Sequence, residues 1–112
     1  MRSSATTEGQ PMSKPTDRMR AVHPGEVLRE EYLAPLGMSV HALAMDLGVP
    51  ATRLHEIVKE RRSVSADTAE RLARYFGGDA ASWLALQADY DLRTLPNRKD
   101  IERKVTPRQA AA

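Results

Sequence analysis

The chain contains no cysteine. That excludes a disulfide framework, a thiolate metal site and a thiol nucleophile. Aromatic residues make up only 4% of the composition, so any core must be built mainly from Leu, Val, Ile and Ala. No apolar run approaches the ~18 residues of a membrane helix. The N-terminal stretch lacks an apolar h-region, so no signal peptide is expected and a cytoplasmic location follows by default. His23, His41 and His55 are scattered, without metal-ligand spacing. The run His55-Glu56-Ile57-Val58-Lys59 opens like a zincin motif, but Lys59 stands where the second histidine belongs. Neither common Gly-rich phosphate loop is present. No cofactor is expected, and no nucleophile–base set marks an enzyme.

What the chain does contain is concentrated in VHALAMDLGVPATRLHEIVK, from Val40 to Lys59. Val40, Leu43, Ala44 and Leu47 recur at i, i+3, i+4 and i+7, one face of a helix. Gly48 can end that helix in a left-handed conformation that costs glycine nothing. Val49 is expected inside the turn, and Pro50 suits the first position of a new helix. Leu54, Ile57 and Val58 supply a second apolar face. Leu43, Ala44, Leu47, Gly48, Val49, Leu54 and Ile57 together satisfy a helix-turn-helix, in which two helices cross steeply and the second can enter a DNA major groove.

The rest of the chain frames this unit. At 112 residues one small domain is expected. Residues 1–21 are polar and aperiodic and read as a disordered arm. A first helix is predicted from Pro24 to Leu33, with Val27, Leu28, Tyr32 and Leu33 on its buried side. The second spans Val40–Leu47 behind a Ser39 N-cap, and the third Ala51–Glu60. The fourth follows Ser65, carries an Ala69, Leu72, Ala73, Phe76 stripe and stops at Gly77-Gly78. Asp79 caps a fifth over Ala80–Tyr90. Residues 94–112 form a basic tail in which disorder is expected, with Asp100–Val105 able to make one or two helical turns on a partner. The fold class is therefore all-α: a compact five-helix, lambda-repressor-like domain over residues 22–93 with flexible N- and C-terminal tails.

Charge is distributed unevenly. The formal net charge is +2, yet residues 22–93 carry eight basic and eleven acidic groups. The basic excess lies in the two tails. Within the acidic domain, Arg53, Lys59, Arg61 and Arg62 cluster around the third helix. A local positive patch on an acidic body suits a DNA face with a separate partner surface. The outward face of the third helix gives the candidate base readers. Ala51 and Thr52 offer methyls to thymine, Glu56 can accept from cytosine N4, and His55 and Lys59 can donate to guanine. Candidate phosphate contacts are Ser39 and Val40 at a helix N-terminus, with Arg53, Arg61 and Arg62. Arg53 has an alternative role, bridging to Glu56 or Asp46. Trp83, Leu84, Leu86, Tyr90 and Leu92 on and after the fifth helix are candidates for a homodimer interface.

With those residues in hand, a resemblance emerges. HPGEVLREEYLAPLGMS, HALAMDLGVPATRLHEIVKERRSVSADTAERLARYFG and WLALQADYDLR resemble the HigA (VapI-like) antitoxins, a branch of the Xre/Cro helix-turn-helix family. His23-Pro24-Gly25-Glu26 and the Trp83, Leu86-Gln87, Tyr90-Asp91-Leu92 pattern are its most diagnostic parts. One departure is visible. The branch usually has Gly after the third helix, where this chain has Glu60, which predicts a third helix longer by a residue and weakens a phosphate role for Arg61 and Arg62. The resemblance implies a dimeric repressor, cytoplasmic and nucleoid-associated, that binds an inverted-repeat operator on double-stranded DNA. It also implies a cognate toxin partner resembling RelE-type mRNA endonucleases, neutralised by the antitoxin of a type II pair. Two other readings stay open: a stand-alone Xre-type regulator without a toxin, and a protein-interaction module that has lost DNA binding.

Overall fold

Three helix starts follow from local chemistry. In the computed structural model, which describes residues 20–108, Ser39 Oγ accepts from the Ala42 N–H at 3.0 Å. Ser65 Oγ accepts from the Thr68 N–H at 3.3 Å, and Asp79 Oδ1 from the Ser82 N–H at 2.8 Å. Each satisfies an amide that has no partner inside its helix. They open α2 (Val40–Leu47), α4 (Ala66–Phe76) and α5 (Ala80–Arg93). The recognition-helix candidate, α3 (Ala51–Val58), begins after Pro50. Pro50 is its N-cap and so lies one position earlier than expected.

Helix α1 is one continuous element in three registers: Pro24–Val27, a π-helical Leu28–Leu33, and Ala34–Leu36. It therefore passes the predicted end at Leu33. Pro35 explains how. Its ring has no N–H to give and crowds the carbonyl four residues back. A widened turn just before it, with the Ala34 N–H donating to the Arg29 carbonyl, lets the helix continue. Gly37, at φ 60°, then closes it.

Two further ends differ from expectation. Helix α5 runs to Arg93 rather than Tyr90. A sixth helix, α6 (Arg98–Lys104), occupies the tail where disorder was expected. Asp100 pairs with Arg103 at 2.7 Å and Lys104 at 3.3 Å, one turn along its own helix. Arg98 also donates back to the Leu92 carbonyl at the end of α5. The predicted N-terminal arm falls mostly on residues 1–19, outside the described residues.

The core is aliphatic, as the composition required. Leu28, Leu43, Leu54, Ile57, Leu72 and Ala69 are essentially sealed from solvent, with Leu33, Ala44, Leu47, Val49, Val58 and Val64 around them. Three of the five aromatics pack together. Tyr32 lies 4.7 Å from Phe76 and 5.5 Å from Trp83, centroid to centroid. Trp83 is only 5% exposed. It packs as a core residue of the single chain. No helix among the described residues is long and apolar enough to cross a membrane.

Candidate nucleic-acid interface

Helix α3 presents two different faces. Leu54, Ile57 and Val58 are buried, while Thr52, His55 and Lys59 are exposed and Ala51 and Glu56 half-exposed. Positions 52, 55, 56 and 59 follow i, i+3, i+4, i+7, so one stripe carries a methyl, an imidazole, a carboxylate and an ammonium. The α2–α3 turn that aims this stripe is held tightly. Gly48 takes φ 73°, its N–H donates to Ala44, and the Val49 N–H donates to the same carbonyl at 3.1 Å. The side chain of Val49 is buried.

The candidate phosphate groups separate into two kinds. Ser39 and Val40 stand at the start of α2, whose first amides lack acceptors within the helix. Arg61 and Arg62 are exposed beyond the end of α3 and make no ion pair among the described residues. Arg53 is different. Its guanidinium donates to Asp67 Oδ1 at 3.1 Å, so it bridges α3 to α4 rather than pairing with Glu56 or Asp46. Arg71 donates to the same Asp67 oxygen at 2.8 Å, and these two arginines hold the Asp67 carboxyl below its ordinary range, Arg71 most strongly.

Three supporting residues carry no individual role in the sequence analysis, although Gln87 lies in its diagnostic C-terminal pattern. Arg71 also donates to the Leu47 carbonyl at 2.8 Å, closing the end of α2 beside the turn. Gln87 is buried; its Oε1 accepts from the Val64 N–H at 2.9 Å, and its amide donates to Asp91 at 3.0 Å. It thereby anchors the loop that follows α3. Arg29, on α1, reaches the Val58 carbonyl and the Glu60 carboxylate. The local signals were the i, i+4 spacings of Asp67 with Arg71 and of Gln87 with Asp91.

Glu60 does not lengthen the third helix. Helix α3 ends at Val58, Lys59 is its C-cap, and Glu60 sits at φ 64°. It is the single non-glycine residue with positive φ among the described residues.

The start of α1 rests against this same end of α3. His23 caps α1, its Nδ1 accepting from the Gly25 N–H at 2.8 Å, and its ring meets Tyr90 edge-on at 4.8 Å. This geometry needs a neutral imidazole with its proton on Nε2. Burial lowers the His23 pKa below its ordinary 6.5, partly offset by Glu60 and Asp91 and reinforced by Arg29. The unfolded chain therefore takes up the proton first as pH falls. The His23 contribution to stability is complete above 6.5 and is lost as pH falls from 6.5 through the lowered folded value, at no more than about 1.4 kcal/mol per pH unit. In His23→Asn, whose amide oxygen can still cap, urea unfolding between pH 7 and 5 should show a flatter dependence than the wild type. Parallel slopes would remove His23 from this role.

Residues proposed for a dimer are placed unequally. Leu84 and Leu86 are half-buried against the core, and Tyr90 packs on His23. Leu92 is exposed, and Leu95, Ile101 and Val105 continue an exposed apolar series from the end of α5 along and past α6.

A helix-turn-helix family model matches residues 28–83. Virulence-associated protein I of Dichelobacter nodosus is 54% identical over 91 residues, covering 81% of this chain and 84% of that protein. Antitoxin HigA-1 of Vibrio cholerae is 32% identical over 87 residues, covering 78% and 82%. The solved structure of Pseudomonas aeruginosa antitoxin HigA with the higBA promoter superposes with a TM-score of 0.76 at 46% identity, covering 79% of this chain and 98% of that one. The chain belongs to the Xre-type helix-turn-helix family, in the branch of the HigA antitoxins, a family of DNA-binding regulators and not of enzymes.

Proposed function

We propose that the chain is the antitoxin of a type II toxin–antitoxin pair. As a homodimer it binds an inverted-repeat operator, represses its own operon and neutralises a RelE-like mRNA endonuclease. It works in the cytoplasm, at the nucleoid. The observation that carries the DNA half is the exposed Thr52, His55, Glu56, Lys59 stripe on α3, flanked by exposed Arg61 and Arg62. The stripe reads base edges, and the arginines with the α2 N-terminus hold phosphates. Arg53 contributes mainly by fixing α3 to α4. The exposed series Leu92, Leu95, Ile101 and Val105 supports a dimer surface centred on the end of α5 and on α6, with Leu84, Leu86 and Tyr90 behind it. The toxin half rests on the HigA relatives. Co-expression with the product of the neighbouring gene, followed by purification, tests it; a chain that purifies alone and yet binds its promoter is a stand-alone regulator.

A mobility shift on the chain's own promoter tests the DNA half. Thr52→Ala combined with Glu56→Ala should relax discrimination at one or two base positions, since each direct contact is worth about 1–3 kcal/mol. Thermal stability should hold, because Thr52 is exposed and Glu56 half-exposed on the outer side of α3. Unchanged affinity and unchanged base preference would show that α3 does not read the operator.

A further inference from the structure

The end of α3 has an unusual termination. The Arg61 N–H donates to the Glu56 carbonyl at 2.9 Å and the Glu60 N–H to the Ile57 carbonyl at 2.9 Å. This is a complete Schellman motif, whose left-handed position is ordinarily filled by glycine. Here it is filled by Glu60 at φ 64°. An L side chain is disfavoured there by contact between its Cβ and the following carbonyl. Something must hold it. Arg29 arrives from α1 and uses both terminal nitrogens: Nη1 donates to the Val58 carbonyl, and Nη2 pairs with Glu60 Oε2 at 3.3 Å. Its Nε pairs with Glu30 at 2.9 Å, which fixes the approach of the guanidinium.

What leaves this turn is the Arg61-Arg62 pair. Beyond it, Val64 is tied to Gln87. The short loop carrying both arginines is therefore pinned at each end, by Arg29 and Glu60 before it and by Gln87 after it. Arg29 also answers an electrostatic problem. A Glu60 carboxylate without a partner, next to two phosphate-binding arginines, would repel DNA or capture one of them.

We propose that Arg29 is a positioning residue for operator binding, which clamps the left-handed Glu60 turn and so sets the path of Arg61 and Arg62 toward the phosphates. This rests on the DNA-binding reading above. Arg29 acts through Glu60 and does not itself touch DNA.

Three full-length variants test the clamp: Arg29→Met, Glu60→Gly, and the two together. Two readouts are needed, amide exchange at Arg61 without DNA and operator affinity as a function of salt. Arg29→Met should speed Arg61 exchange and weaken binding about tenfold, roughly the effect of one misplaced phosphate contact. Glu60→Gly should stay near wild type, since glycine holds the turn unaided. The double variant should recover both exchange protection and affinity. Lost affinity that Glu60→Gly does not rescue, with the log–log salt slope lower by about 0.9, would make Arg29 a direct phosphate ligand and overturn the proposal. A lower melting temperature with wild-type Arg61 exchange and affinity would reduce Arg29 to a structural role and overturn it equally. If the wild type fails to bind its promoter, the DNA reading falls, and Arg61 exchange across the three variants still decides whether the clamp exists.

Discussion

Gly25→Ala is expected to unfold the domain or nearly so. A Cβ at Gly25 would lie 1.8 Å from the Ile57 carbonyl oxygen and 2.7 Å from its carbon. Both are backbone atoms, and Ile57 is 1% exposed at the centre of the core. No rotamer change can relieve the overlap. Either α1 withdraws from α3 or α3 shifts away from α2, and in each case the His23 cap and the Arg29 contacts are disturbed. Overpacking in a tight core costs about 1–3 kcal/mol and occasionally more; a backbone clash of this depth belongs at or above the top of that range. A domain of this size has only about 3–5 kcal/mol in hand. The melting temperature should therefore fall by more than ~12 °C, taking about 4 °C per kcal/mol. Gly37→Ala is the matched control. Its Cβ would meet nothing within 4 Å, and only its φ of 60° opposes the change, so about 1–2 kcal/mol is expected. If Gly25→Ala melts within a few degrees of wild type, while circular dichroism shows full helix content, the close approach of α1 to α3 is not as described.

The contrast between these two glycines shows how far the sequence could be read. Gly48 was identifiable as a helix end because its neighbours, an apolar stripe before it and a proline two residues after, are local. The caps at Ser39, Ser65 and Asp79 were identifiable for the same reason: a side chain reaching an amide three residues ahead needs no tertiary information. Gly25 was not, because what it approaches is 32 residues away in sequence, at Ile57. Glu60 misled in the same way. A glutamate where glycine is usual favours extending the third helix through it, since Glu has the higher helix propensity. The helix stops at Val58 instead because Arg29, 31 residues upstream, supplies a partner that holds Glu60 in a left-handed turn.

The same physical distinction governs the candidate site. The candidate base-reading stripe depends only on helical periodicity, so the exposure of Thr52, His55 and Lys59 follows once Leu54, Ile57 and Val58 are recognised as buried. Arg53 depends on where α4 passes, and only the folded chain brings Asp67 to it. Trp83 and Leu92 illustrate the limit for interfaces. Both are large and apolar on one helix, yet one is 5% and the other 59% exposed. Periodicity puts side chains on faces; it cannot say whether a face meets the chain's own core or a second molecule. The short helix α6 was underestimated because Pro96 and the basic composition outweighed the Asp100 pairs that hold one of its turns.

Moving the two half-sites of the operator by half a helical turn should abolish cooperative binding. One helix-turn-helix reads one half-site, and a single α3 of eight residues offers few base contacts. Useful affinity then requires two copies related by a two-fold axis, with their α3 helices about 34 Å apart, one turn of DNA, or a multiple of it. The surface proposed for pairing, from Leu92 through Leu95 to Ile101 and Val105, lies late in the chain, after the loop that carries Arg61 and Arg62. Pairing there uses none of the candidate base-reading side chains of α3, and the rigid spacing of the dimer would become the spacing of the operator. Once one half-site is bound, the second is reached at high effective concentration, a gain of about 10²–10⁴ over either site alone. Inserting five base pairs rotates one half-site by about half a turn, to the far side of the duplex, and that gain should vanish. Inserting ten returns the half-site to the same side but farther away, so part of it should return. Leu92→Glu combined with Ile101→Glu should mimic the five-base-pair insertion on the unaltered operator, without loss of helix content, because both side chains are exposed in the single chain. Sedimentation at micromolar concentration showing only monomer, together with one protein per footprint, would defeat the prediction. It would point instead to a dimer formed only through the toxin.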